Sequence, residues 1–221
     1  MIIDPYSWHQ FAIEQKIAAS SDTVAVRFKR PAGYQFRAGQ YAIVRATTSD
    51  GRQLIRQYSF ASSPDEDALE LLIQREPNGA VSNWFYNDAQ IGDTVELSQP
   101  FGGFTLEATG KRPILLIAGR VGIAPYLSML REAYRNNLSL LYSVRTEDQI
   151  CFPELLKQHQ TQIIITSHTP RIDATLLEPL LSGKPLIYLC GSKQFVDAIM
   201  QYLLENGAAE ADIRRELFTL Q

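Results

Sequence analysis

The spacing of apolar residues changes near residue 110, and a chain that changes period builds two different kinds of layer. Before that point, short alternating runs at 8–17, 23–28, 41–46, 55–61, 69–74 and 94–97 read as strands. Breaks at Pro31-Ala32-Gly33, Ser49-Asp50-Gly51 and Ser63-Pro64-Asp65 separate them. Six short strands so spaced predict an antiparallel sandwich or barrel. One helical stretch, 81–87, interrupts the series. After residue 110, apolar β-branched runs at 113–118, 138–144, 162–166 and 186–190 have the composition of buried strands. Helical stretches at 125–136, 152–157, 175–181 and 194–206 lie between and after them, and a final strand is expected over 216–219. Such alternation predicts a parallel α/β sheet. The expected division is 1–108 and 109–221, with Lys111-Arg112-Pro113 as the hinge.

Charge and cysteine content narrow the function. Net charge is −3 with no basic run, which argues against a nucleic-acid surface. Residues 1–108 carry 9 basic and 13 acidic groups, and residues 109–221 carry 12 and 11, so the second half better suits an anionic ligand. The longest apolar stretch, 113–118, is far too short to span a bilayer. The first residues, Met1-Ile2-Ile3-Asp4-Pro5, lack the pattern of a secretory signal. Two cysteines, Cys151 and Cys190, give neither a disulfide framework nor a metal spacing, so a reduced, cytoplasmic setting is expected. No iron–sulfur spacing is present.

Five segments carry chemistry. Arg56-Gln57-Tyr58-Ser59 sets a guanidinium, a flat ring and a hydroxyl close together. These suit a phosphate, a stacked planar ligand and a ring nitrogen, a combination that fits a flavin nucleotide. The same alternation also fits one face of a half-buried strand. Ala118-Gly119-Arg120-Val121-Gly122-Ile123-Ala124-Pro125 follows the first buried strand of the second half. A glycine-bearing strand-to-helix turn offers backbone N–H groups to a phosphate, and Pro125 fits the first helical turn. Phe36-Arg37-Ala38-Gly39-Gln40-Tyr41 reads as a turn. The segment from Arg75 through Pro77, Gly79, Val81 and Ser82 leads into a short helix whose N–H groups can meet an anion. Within it, Ser82 can equally act as a cap and Arg75 as a surface charge. Cys190-Gly191-Ser192 ends the last buried strand, on the side where open α/β sheets bind ligands. A lone buried thiol is also a common packing residue.

Taken in the order in which they occur along the chain, the segments resemble the ferredoxin–NADP reductase superfamily of flavoproteins. Its R-x-Y-S box matches Arg56, Tyr58 and Ser59, and its F-x-A-G-Q-Y turn matches Phe36 through Tyr41. Its R-x-P-x-G-x-x-S loop matches Arg75, Pro77, Gly79 and Ser82. Its G-P-x-G-x-F segment matches Pro100, Gly102 and Phe104, with Gln99 in place of glycine. Its A-G-G-T-G-I-A-P loop matches Ala118, Gly119, Gly122, Ile123, Ala124 and Pro125. Its C-G-P motif matches Cys190 and Gly191, with Ser192 for proline, and its E-x-F matches Glu216 and Phe218.

The resemblance implies a six-stranded antiparallel Greek-key barrel that binds FAD, rather than FMN, and a parallel-sheet domain that binds NAD(P)H. It implies an NAD(P)H-dependent oxidoreductase that passes electrons to a separate ferredoxin, flavodoxin or oxygenase component. By the same resemblance, Arg56 holds the flavin pyrophosphate, Tyr58 packs on the ring system, and Ser59 lies by its reactive nitrogen, with Gln57 in the same box. Arg75, Gly79, Val81 and Ser82 form a phosphate loop. Gly119, Arg120, Val121 and Gly122 support the dinucleotide together with Gly191. Cys190 and Glu216 border the hydride path. No metal site is expected. Arg145 follows the second parallel strand, where arginine suits a 2′-phosphate, but Glu147 and Asp148 stand beside it, so NADH against NADPH stays open. Arg120-Val121 departs from the Gly-Thr pair of the family loop. A cation there either adds a phosphate contact or crowds the nicotinamide. The alternatives are a reductase of free flavins and a non-catalytic electron-transfer subunit.

Overall fold

The computed structural model describes residues 7–48, 51–108, 110–132, 137–169 and 171–218. The first half holds strands β1 (His9–Ser20), β2 (Thr23–Lys29), β3 (Tyr41–Thr47), β4 (Gln53–Ser59) and β5 (Ala68–Gln74), helix α1 (Ala80–Asn83) and strand β6 (Thr94–Leu97). The six strands form an antiparallel sheet in the order β4-β3-β6-β1-β2-β5. Alternate side chains such as Phe11, Ile13, Val26, Phe28, Val44, Leu71 and Val95 point inward and form one core. Beyond β4, Phe60 bridges Leu71 of β5, and the Ala61 N–H donates to Glu70 O at 2.8 Å. The two edges of the sheet therefore meet just beyond β4, and the barrel closes there. Insertion of β6 between β3 and β1 gives the expected Greek-key order.

The second half holds β7 (Ile114–Gly119), α2 (Ala124–Glu132), β8 (Leu138–Val144), α3 (Pro153–Leu156), β9 (Gln160–Ile165), α4 (Ala174–Leu181), β10 (Leu186–Ser192), α5 (Lys193–Glu205) and β11 (Ile213–Phe218). Its five strands are parallel, in the order β11-β10-β7-β8-β9. Every residue of β7 is buried, as a central strand covered on both faces requires. Helices α4 and α5 cover one face, with Val196, Ile199, Met200 and Leu203 at helical spacing. Helix α2 covers the other, and its core is continuous with barrel residues Ala25, Ala38, Ala61, Leu72 and Phe104. The chain steps from β9 to β10 across β8 and β7, so the order in which strands are added reverses at β7, with β8 on one side and β10 on the other. Such a switch opens a crevice at the carboxyl ends of the strands.

Several boundaries differ from the sequence reading, for local reasons. The strand expected over 55–61 ends at Ser59, because Phe60 leaves β3 to bridge β5. The helix expected over 81–87 is one α-turn followed by a wider turn at Trp84–Asp88. The helix expected over 152–157 shrinks to α3, since Phe152 has φ +49° and Pro153 sets the first turn. The last strand begins earlier, at Ile213, drawn in by pairing with Ile187. The end of the helix expected over 125–136, and Met1 to Pro5, Ser49, Asp50 and Thr219, lie outside the described residues. Gly39, at φ +96°, makes the expected turn, and a β-carbon there would stand 2.6 Å from Met129 Cε of α2. Among the described residues, no helix is long and apolar enough to cross a membrane.

Candidate active site

Two cavities lie side by side where the halves join. The first, about 770 Å³, is lined by Arg56, Gln57, Tyr58 and Ser59 of β4, by Gly79, Val81 and Ser82 of the loop and α1, and by Val121. The second, about 820 Å³, is lined by Gly119, Arg120, Val121 and Arg145. It lies at the carboxyl ends of β7, β8 and β9. Gln74, Glu76, Val121 and Phe218 line both cavities, so the two are contiguous. Both volumes fall in the range of small-molecule sites.

The first cavity is built to receive a flat, partly polar ligand. Alternation along β4 turns Tyr58 inward, with its ring edge-to-face with Phe85 at 6.2 Å. Burial pushes the Tyr58 hydroxyl well up, so it stays neutral. Ser59 is buried and its Oγ has no hydrogen-bond partner. An orphaned buried hydroxyl is costly, and this one belongs to a residue that lines the first cavity. At the other side of the cavity, Ser82 Oγ donates to Gly79 O at 3.2 Å and accepts from the Glu76 N–H at 3.2 Å, which fixes the loop 76–82.

Five expected site residues line neither cavity. The Arg75 guanidinium lies over the Tyr86 ring, 5.3 Å from its centroid. Gly122 packs against the backbone of Cys190 and Gly191 at the head of α2. Cys190 is fully buried behind the crevice, and burial pushes its thiol well up, as expected of a packing residue rather than an exposed thiolate. Gly191 lies under the Phe195 ring, which also covers Gly119. Glu216 is paired in register with Cys190, one strand over. Its Oε2 is buried without a partner, and burial pushes its carboxyl up to about 7.

The sequence reading missed the joint itself. Asp22, in the turn between β1 and β2, collects five donors. Its Oδ1 accepts from Ser20 Oγ (3.1 Å) and Thr23 Oγ1 (2.9 Å). Its Oδ2 accepts from Gln74 Nε2 (2.8 Å), Gln149 Nε2 (2.9 Å) and Arg120 Nη2 (3.3 Å). Ser167 and Arg171 also line the second cavity. Their position just after β9 is the signal that could have found them, because ligands gather beyond strand ends. Asp22 has no such local signal.

Residues 10–106 match the family of oxidoreductase FAD-binding domains, and residues 116–201 match the family of oxidoreductase NAD-binding domains. The toluate 1,2-dioxygenase electron transfer component of Pseudomonas putida is 30% identical, over 95% of this chain and 67% of that protein. The flavohem-like FAD/NAD-binding domain of nitric oxide dioxygenase from Vibrio cholerae O1 biovar El Tor superposes with a TM-score of 0.83 at 23% identity, over 96% of this chain and 99% of that one. A ferredoxin NADP+ reductase from Neisseria gonorrhoeae with bound FAD and NADP gives 0.82 at 20% identity, over 96% and 98%. The chain spans between about half and two thirds of the length of the first curated relatives, flavohemoproteins among them.

Proposed function

The chain belongs to the ferredoxin–NADP reductase superfamily of FAD- and NAD-binding oxidoreductases, and on that premise we propose that it takes electrons from NAD(P)H through FAD to a separate protein acceptor. The observation that carries this reading is the contiguity of the two cavities through Gln74, Glu76, Val121 and Phe218. Two ligands seated in them would meet at that joint, and transfer between bound groups depends on held distance and orientation. A flavin in the first cavity supplies acceptance of a hydride and release of single electrons.

The protein's own groups divide the work. Arg56 neutralises phosphate at the rim, while Tyr58 offers its ring and Ser59 its hydroxyl. Val81 and Ser82 present main-chain N–H groups at the start of α1, while Gly79 lines the cavity and spends its own N–H on Glu76 O at 3.0 Å. Val121 lines both cavities at their junction, Gly119 lines the second, and Arg145 offers that second cavity a cation. Glu216 holds a proton near neutrality behind the joint. Cys190, Gly191 and Gly122 act by packing, which keeps β7, β10 and α2 in register. We assign residues 1–108 to the flavin and 109–221 to the nucleotide. The acceptor is a ferredoxin, a flavodoxin or an oxygenase component, a reading supported by relatives named as electron-transfer components of dioxygenases. Two buried free thiols support a reducing, cytoplasmic setting.

The test is a visible spectrum of the purified protein before and after anaerobic addition of NADH or NADPH. Co-purified FAD that bleaches with either nucleotide is the expected result. Protein that is colourless after gel filtration but reduces added flavin would instead be a free-flavin reductase, and a bound flavin that neither nucleotide bleaches would sink the reductase reading.

A further inference from the structure

Arg120 has φ +50°, a left-handed backbone that side chains other than glycine rarely adopt. It opens the turn between β7 and α2, where glycine would sit without strain. Strain kept at a cavity wall points to a use for the side chain. That side chain lines the second cavity, is half exposed, and reaches across the joint to Asp22 on the barrel.

The pairing with Asp22 is loose. Arg120 Nη2 stands 3.3 Å from Asp22 Oδ2, the longest of the five contacts to that carboxylate. Four uncharged donors stay in place when Arg120 leaves, so release does not orphan the carboxylate. A half-exposed ion pair of this kind contributes little. A phosphate offers the guanidinium two parallel charge-assisted bonds instead. Gln74, which donates to the same Oδ2, lines both cavities. The parked guanidinium therefore stands at the passage between them.

We propose that Arg120 is a mobile phosphate clamp, held in reserve on Asp22 and transferred to the phosphates of the incoming dinucleotide. This rests on the reading of the second cavity as the nucleotide site. The guanidinium exchanges a carboxylate for a phosphate as its partner, which opposes the alternative in which Arg120 merely crowds the site.

The test is calorimetric titration of the FAD-loaded protein with NADP+ and with NAD+, at low and high salt. Arg120→Gly and Arg120→Gln are each expected to weaken the tighter-binding nucleotide about tenfold, the cost of one charge-assisted contact. Their salt dependence is expected to be shallower, and Arg120→Lys to keep part of the affinity. Arg120→Gly is also expected to melt no lower than the parent, because glycine accepts the φ, while Arg120→Gln leaves the backbone residue non-glycine and separates the two effects. Binding by both variants as tight as, or tighter than, the parent would overturn the clamp. A parent protein that binds neither nucleotide would instead overturn the reading of the cavity, and the clamp with it.

Discussion

The head of helix α2 and the end of strand β10 touch through Gly122 and Cys190. A β-carbon on Gly122 would stand 2.7 Å from the Cys190 carbonyl carbon and 2.9 Å from Gly191 Cα. Backbone cannot yield as a flexible side chain does. Gly122→Ala is therefore expected to destabilise the fold by about 2–3 kcal/mol, read as a lower urea midpoint. An unchanged midpoint would show that the strand end relaxes freely.

Arg131 of α2 ties the two halves together. Its Nη1 donates to Glu70 Oε1 and to Ala61 O, both at 2.6 Å, and its guanidinium lies over Phe152. Glu70 is fully buried, and Arg27 Nε at 2.7 Å is its other charged partner. Removing Arg131 leaves that carboxylate half-compensated in a low dielectric. Arg131→Ala is expected to cost about 2–4 kcal/mol, because the carboxylate it leaves behind is fully buried. A loss below 1 kcal/mol at equilibrium unfolding would mean that Arg27 suffices.

Ser59→Ala separates stability from binding. The Oγ is buried without a partner, so its removal from flavin-free protein should raise stability by about 1 kcal/mol. The same change should weaken FAD retention by about tenfold if the hydroxyl pairs with the ligand. Melting curves with and without FAD check both signs, and a variant that loses stability in the flavin-free state contradicts the orphaned hydroxyl.

Glu216 makes stability depend on pH. Burial raises its carboxyl from an ordinary value near 4.5 to about 7, because the neutral form is favoured. Below pH 4.5 the folded and unfolded chains both hold the proton, and the contribution is fully present. Between 4.5 and 7 the unfolded chain ionises first, so stability falls as pH rises, by about 3 kcal/mol. Glu216→Gln should flatten that window in denaturant titrations at pH 4.5 and 7.5. An identical slope in parent and variant would remove Glu216 from the account.

What the sequence made legible follows from range. Strands β1–β6 and β7–β10 were readable because burial of one face or both leaves a period of two or an unbroken apolar run. The lining groups Arg56, Tyr58, Ser59, Val81, Ser82 and Gly119 were readable because each sits in a short segment with its own local chemistry. Asp22 and Glu70 were not, since their partners Arg120, Gln149 and Arg131 lie far along the chain and only the fold brings them close. The depth of Cys190 behind the cavity wall likewise depends on how α2 and β10 stack, which no local motif records.

The core that runs from Ala25, Leu72 and Phe104 into Tyr126, Leu130 and Tyr188 constrains how such a protein can be recombined. Phe104 packs its ring on Tyr126 at 5.9 Å and on Tyr188 at 5.4 Å, and the Tyr188 hydroxyl donates to Thr105 O. A cut at residue 108 would bare this aromatic seam on both pieces, and each piece alone would tend to aggregate. A chimera that exchanged one sheet for a relative's would have to carry over both sides of the seam together.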